Sequence, residues 1–356
     1  MQCSYLEAIP FHQFPLTPES PTSTSSHVAA PTAGAVPTPG ANLETPPPTP
    51  TPPQSQYQYD VNMQHMELLG HFLTTTLYSL GDAIPHSTPT DIISKYVYTT
   101  PYLMHEILAF AASHLSQQRH SRRKFYQDAS ADLLTRALSL FNAETPDIHA
   151  GNCVPKFLFS SLLAIHVFFT TMSTSLSDAD LLNKFIADLD IHRGVRAITG
   201  ASWRMLKETE LQPILRDAEI ALQPRAGECR ECDALTALLD SSDLSPASLK
   251  ECRDALDHLR SLFQAQQRQD DNQDLGVLFA WPITLSGDYT KLLLKRQPEA
   301  LIILAYYAVL ILQYRRIWII GDAGPALIRS ITAYLGTFWE QWLAWPNEML
   351  NMDNGN

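Results

Sequence analysis

One stretch decides the fold: Pro298-Glu299-Ala300-Leu301-Ile302-Ile303-Leu304-Ala305-Tyr306-Tyr307-Ala308-Val309-Leu310-Ile311-Leu312, followed by Gln313-Tyr314-Arg315-Arg316-Ile317-Trp318-Ile319-Ile320. Pro298 suits the first turn of a helix, where its missing N–H would be unpaired anyway. From Ala300 to Leu312 no side chain is charged, so a helix here is apolar on every face. Those thirteen residues rise about 20 Å as a helix, short of the roughly 30 Å hydrocarbon core of a bilayer. Arg315 and Arg316 then close the run. The stretch reads as the fully buried central helix of a helical domain. Tyr306 and Tyr307 are its polar exceptions, and each buried hydroxyl needs a partner in the protein, in trapped water or on a ligand.

Working outward, the same spacing predicts further helices on both sides. Apolar residues recur at helical intervals from His65 to Leu80, stopping at Gly81-Asp82. Pro101 to Leu115 forms a second helix. Ser121 is placed to cap a third, with Phe125, Ala129, Leu133, Ala137 and Leu140 on one face. Pro155 to Met172 is largely apolar, and Ser177-Asp178-Ala179-Asp180 opens a helix with acidic residues in its first turn, where the dipole favours them. Ser245-Pro246 starts another, with Leu249, Cys252, Leu256, Leu259 and Phe263 inward. After the central helix, Gly321-Asp322-Ala323-Gly324-Pro325 is a turn feeding a helix over 326–335. No alternating strand pattern stands out. The expected class is all-α, a single helical domain over residues 61–350 built around that buried central helix.

Residues 1–60 hold 13 of the 25 prolines and no Lys or Arg, ending in Thr45-Pro46-Pro47-Pro48-Thr49-Pro50-Thr51-Pro52-Pro53. Such a segment cannot bury enough apolar surface to offset its ordering entropy, so a disordered Pro/Ser/Thr-rich linker is expected. The formal charge is -12, and -8 without the linker's Glu7, Glu19, Glu44 and Asp60. That balance gives no attraction to a phosphate backbone. The one basic run, Arg119-His120-Ser121-Arg122-Arg123-Lys124, reads as a solvated helix start. Five cysteines without a signal peptide point to a reducing compartment. No segment is expected to span a membrane.

Catalytic and metal motifs were sought and not found. His105-Glu106 lacks the second histidine of a zinc-protease helix, since residue 109 is Ala. Cys229-Arg230-Glu231-Cys232 with Cys252 and His258 sketches four zinc ligands. Cys252 and His258, however, lie six residues apart and point about 240° apart on a helix. The pair Cys229/Cys232 is read as a loop, and no metal or catalytic residue is expected. The aromatics around the glycine turn read either as plain core packing or as a pocket for an apolar small molecule, and the residues that would line the pocket are Tyr306, Tyr307, Trp318, Gly321, Gly324, Phe338, Trp339 and Trp342.

Several motifs occur together: His65-Met66-Glu67-Leu68-Leu69-Gly70-His71-Phe72, Tyr102-Leu103-Met104-His105-Glu106-Ile107-Leu108-Ala109, Trp281-Pro282, and Pro298 through Leu310. In these the chain resembles the C-terminal regulatory domain of fungal zinc-cluster transcription factors, nearest the sterol uptake control type. The resemblance covers roughly residues 62–350. It implies a nuclear, non-enzymatic regulator whose helical domain binds a sterol in an apolar pocket beside a glycine-containing loop, here Gly321 to Gly324. The loop reads Ile320-Gly321-Asp322-Ala323-Gly324-Pro325, without the family's aromatic, so the implied ligand is sterol-like or otherwise lipophilic.

The family's DNA-binding zinc cluster is not in this sequence, and Gln2-Cys3-Ser4-Tyr5 resembles only its last cysteine. The resemblance thus implies DNA as a partner only if a cluster precedes Met1. It also implies regulator or transcription-machinery proteins as partners, and sterol or secondary-metabolite genes as targets. The alternative is a helical interaction module without ligand, a homodimer or a partner that modulates a full-length factor.

Overall fold

The computed structural model describes residues 61–80, 89–174, 177–223, 229–267 and 275–354. The linker expected over 1–60, its Cys3 included, lies outside them. The helices are α1 Met63–His71, α2 Pro89–Val97, α3 Pro101–Gln118, α4 Arg123–Ala143, α5 Cys153–Met172, α6 Asp178–Leu206 and α7 Gln212–Leu222. They continue as α8 Arg230–Asp240, α9 Pro246–Gln266, α10 Leu275–Thr284, α11 Gly287–Leu294, α12 Pro298–Gln313, α13 Ala323–Leu335 and α14 Glu340–Asn354. No strand occurs among the described residues, and the chain is all-α.

The core is built around α12. Every residue from Glu299 to Leu312 is buried, as an all-round apolar helix requires. Helices α8, α9, α11, α13 and α14 pack against it. Each buried Leu or Ile there contributes about 1.5–3 kcal/mol of transfer free energy. Beside this group, α3 lies along α4 and α5, and α5 along α6, which also meets α10, α11 and α13. A smaller core of Ile92, Cys153, Val154, Leu206, Leu211 and Leu215 closes the α2, α5, α6 and α7 corner.

Among the described residues, serine caps three helices, whereas the Thr100 hydroxyl before α3 caps nothing. Ser177 accepts from Asp180 N–H at the start of α6, and Ser245 from Ser248 N–H at the start of α9. Four expectations need correction. Ser121 does not cap α4: a short 3-10 turn, His120–Arg122, intervenes, and the buried face keeps Leu133 and Ala137 but begins at Tyr126 and Ser130 rather than Phe125 and Ala129. Tyr126 lies two turns before Leu133 on one helix face and is buried, whereas Phe125 points off that face and is 43 % exposed. The segment to Leu80 is not one α-helix, because it widens into a π turn over Phe72–Thr76 before a 3-10 turn.

Cys229 and Cys232 are not in a loop; they open α8. Finally, α5 at 20 residues and a mean hydropathy of 1.6 is long and apolar enough to cross a membrane, contrary to expectation. Its placement accounts for that composition, since α5 packs on both α3 and α6 and is pinned through His166.

Candidate functional site

The turn after α12 brings distant parts of the chain together. Gly321 holds φ +48°, a left-handed conformation that costs glycine little. Arg315 binds Asp322 at 2.9 Å and also Asp353, tying the turn to α14. Trp318, half-buried, projects from this turn toward α3, α5 and the π turn. Its indole N–H donates to Ser79 Oγ at 2.9 Å. Its ring stacks on His114 with centroids 4.5 Å apart and planes at 16°. Phe110 and Phe169 complete the wall at 5.3 and 4.8 Å.

Beneath the indole, the Gln118 amide donates to His114 Nε2 at 3.0 Å, which leaves Nδ1 as the protonated nitrogen of the neutral ring. That Nδ1 lies 3.0 Å from Thr76 Oγ1 and 3.2 Å from His71 Nε2. Burial, seconded by His71, pushes the His114 pKa down to about 4, and burial lowers His71 as well. The imidazoles are therefore neutral at physiological pH. The result is an aromatic cluster with a few fixed polar groups, its centre filled by the Trp318 indole itself.

The eight predicted residues divide into groups. Trp318 and Gly321 share the turn, whereas Gly324 already lies in α13, which starts at Ala323 instead of the expected residue 326, and there serves a close approach of α13 to α12. Tyr306 lies against Trp345 of α14 with centroids 4.9 Å apart. Tyr307 turns instead to α10, stacking on Trp281 at 4.4 Å and donating to Leu278 O at 3.0 Å, so its hydroxyl finds a partner in the protein. Phe338, Trp339 and Trp342 gather at the α13–α14 corner, where Phe338 is 81 % exposed. Only Trp318 of the eight is stacked into the seat. Its partners Ser79, Phe110, His114 and Phe169 were missed, because they lie up to 239 positions away and no local pattern links them.

Two adjoining grooves lie elsewhere. One, of about 560 Å³, is lined by Asp254, Asp257, His258, Ser261, Leu262, Ala280 and Thr284. A smaller one, of about 110 Å³, adds Arg196, Glu251 and Tyr289. None of the eight residues lines either.

A further polar set joins α3, α4 and α5. Ser113 Oγ is 2.8 Å from His166 Nε2, and His166 Nδ1 is 2.9 Å from Glu106 Oε1. This is the order of nucleophile, base and acid in a hydrolase. Here it is sealed. Ser130 Oγ also sits 2.8 Å from Ser113 Oγ and 3.2 Å from His166 Nε2, and all four residues are buried. Glu106 Oε2 has no partner, and burial, opposed by His166, raises the carboxyl's pKa. The set clamps three helices and leaves no room for a substrate carbonyl at Ser113. No group of three or more His, Cys, Asp or Glu side chains suited to a metal occurs among the described residues.

No family model matches the chain. A Zn(2)-C6 fungal-type transcription factor of Gibberella zeae is 23 % identical to it over 270 residues, which are 72 % of this chain and 54 % of that protein. The chain spans about half the length of the curated relative it matches. Over most of its length it is therefore a distant homologue of a fungal zinc-cluster transcription factor.

Proposed function

We propose that this chain acts in the nucleus as the regulatory part of a zinc-cluster-type transcriptional regulator, and that its helical domain senses a lipophilic ligand seated at Trp318. The relationship over 270 residues supports the first half of this reading. The observation that carries the second is the stack of Trp318 on His114 over Ser79 and Thr76. An indole held by one hydrogen bond and aromatic contacts is exchangeable for the ring system of a sterol-like molecule. A hydroxyl on that molecule would take the place of the indole N–H toward Ser79. Occupancy would then be read through the turn into α12 and α13. The net charge of -12 leaves DNA contact to a zinc-cluster module. Genes of sterol or secondary metabolism are the targets this ligand class suggests.

Fusing the full chain to an unrelated DNA-binding domain tests this. Reporter output should change when cellular sterol synthesis is blocked, and Trp318→Ala should remove the response. A wild-type fusion indifferent to sterol supply, at normal protein levels, would contradict sterol sensing.

The exposed Phe338, edge-on to Trp339 at 5.3 Å, favours a second reading: a ligand-free interaction module docking a regulator protein or a second copy at the α13–α14 corner. An empty homodimer dissociated by Phe338→Asp would support that module instead.

A further inference from the structure

The first turn of α8 holds two thiols together. Cys229 precedes the helix with extended backbone, and the Cys232 N–H donates to Cys229 O at 2.9 Å. This fold places the two Sγ atoms 3.0 Å apart. A disulfide needs about 2.05 Å, so a small rotation about the side-chain bonds closes the gap. All four described cysteines are buried, and among them only Cys229 and Cys232 bring two sulfurs together; Cys153 turns its thiol to Ala150 O at 3.6 Å.

We propose that Cys229 and Cys232 are a reversible oxidation site, closed to a disulfide by a hydroperoxide and reopened by a dithiol reductant. Cys229 is the attacking sulfur. It sits at the amino end of α8, where the helix dipole favours a thiolate. The hydrogen bond to Cys232 holds its pKa below the usual thiol value, against burial and the Glu231 carboxylate, whose Oε2 is 3.5 Å away. The same hydrogen bond and burial push Cys232 far above that value, so it keeps its proton until it is needed.

The balance is complete with hydrogen peroxide as oxidant. The Cys229 thiolate attacks one peroxide oxygen, the O–O bond breaks, and hydroxide leaves and takes up the proton that Cys229 lost. The sulfur of Cys232 then attacks the Cys229 sulfenic acid. The S–S bond forms, the S–O bond breaks, and the Cys232 proton leaves in a second water. Two sulfurs together lose two electrons, and the peroxide gains them. Helix α8 contacts α9, α12 and α14, so the new bond forms on the sheath of the central helix.

The test is peptide mapping of the purified full chain, reduced, desalted without air, treated with hydrogen peroxide, then denatured and alkylated. The expected result is a Cys229–Cys232 disulfide, two hydrogens lighter than the dithiol, that dithiothreitol reverses while Cys153 and Cys252 remain alkylatable. Cys232→Ser should halt at a sulfenic acid on Cys229 that dimedone traps, and Cys229→Ser should form neither product. Both thiols of the wild-type chain still alkylating after peroxide, or Cys153 or Cys252 oxidising first, would overturn the proposal. The wild-type map decides even if a variant fails to fold.

Discussion

Gly324 approaches Leu312 so closely that a Cβ on it would stand 2.5 Å from the Leu312 backbone nitrogen and 2.7 Å from its Cα. The nearest atoms belong to the backbone of α12, which cannot swing aside as a side chain can. The contact fixes the α12–α13 crossing and, through it, the turn that carries Trp318.

Gly324→Ala should therefore cost about 3 kcal/mol, the upper end for overpacking a tight contact. Urea unfolding followed by circular dichroism reads it as a lower midpoint at unchanged slope. Gly324→Asp should cost more. Gly70→Ala is the control, because nothing lies within 4 Å of a Cβ there.

The Glu106–His166 pair makes a second prediction. His166→Leu strands a buried carboxyl whose other oxygen already has no partner, and should cost about 3–5 kcal/mol. Ser130→Ala should cost only about 1 kcal/mol. Pairing Glu106→Leu with His166→Leu should recover most of the single-mutant loss, since apolar replacement of a buried pair is often near neutral. A double-mutant cycle measures the coupling, and additive losses would count against the clamp.

Acid should destabilise the fold within a defined window. Burial holds His114 and His192 near a pKa of about 4, against an ordinary 6.5. A depressed folded pKa leaves stability full above the unfolded value and loses it as pH falls from 6.5 through about 4. Each histidine accounts for about 3 kcal/mol across that range. The His192 ring nitrogens have no partner in full hydrogen-bond geometry and only the Asp188 backbone opposes their burial, so His192→Leu should raise the urea midpoint at pH 7 and flatten the acid slope. Urea midpoints between pH 4 and pH 7 supply both readings.

The all-α class and the central helix were legible because a run without charge has one stable place in a helical protein. Ser177 and Ser245 were legible as caps because capping is local. What escaped depended on neighbours elsewhere in the chain. Phe125 and Tyr126 are adjacent, and the side of α4 that packs on α3 decides which is buried. The aromatic pocket was expected from residues clustered in sequence, yet Tyr306 and Tyr307 face different helices, as consecutive helical positions must. His114 and Ser79 carry no local signal at all; only the tertiary fold sets them beside Trp318.

That division predicts unequal costs for aromatic truncation. Trp318→Ala should cost about 3–5 kcal/mol, having lost its stack and its hydrogen bond. Phe338→Ser, at an exposed corner, should change stability by no more than about 0.5 kcal/mol. Equal effects in urea unfolding would mean that the two rings are not packed as described.

Native mass spectrometry of the full chain, purified from a fungal host without detergent, tests the sensing claim most directly. The account predicts a fraction carrying one lipophilic molecule, released by organic solvent and retained in Trp318→Ala, which clears the seat without touching its Ser79 and His114 walls. A wild-type chain found only at its bare mass, after growth in that sterol-replete host, would contradict it.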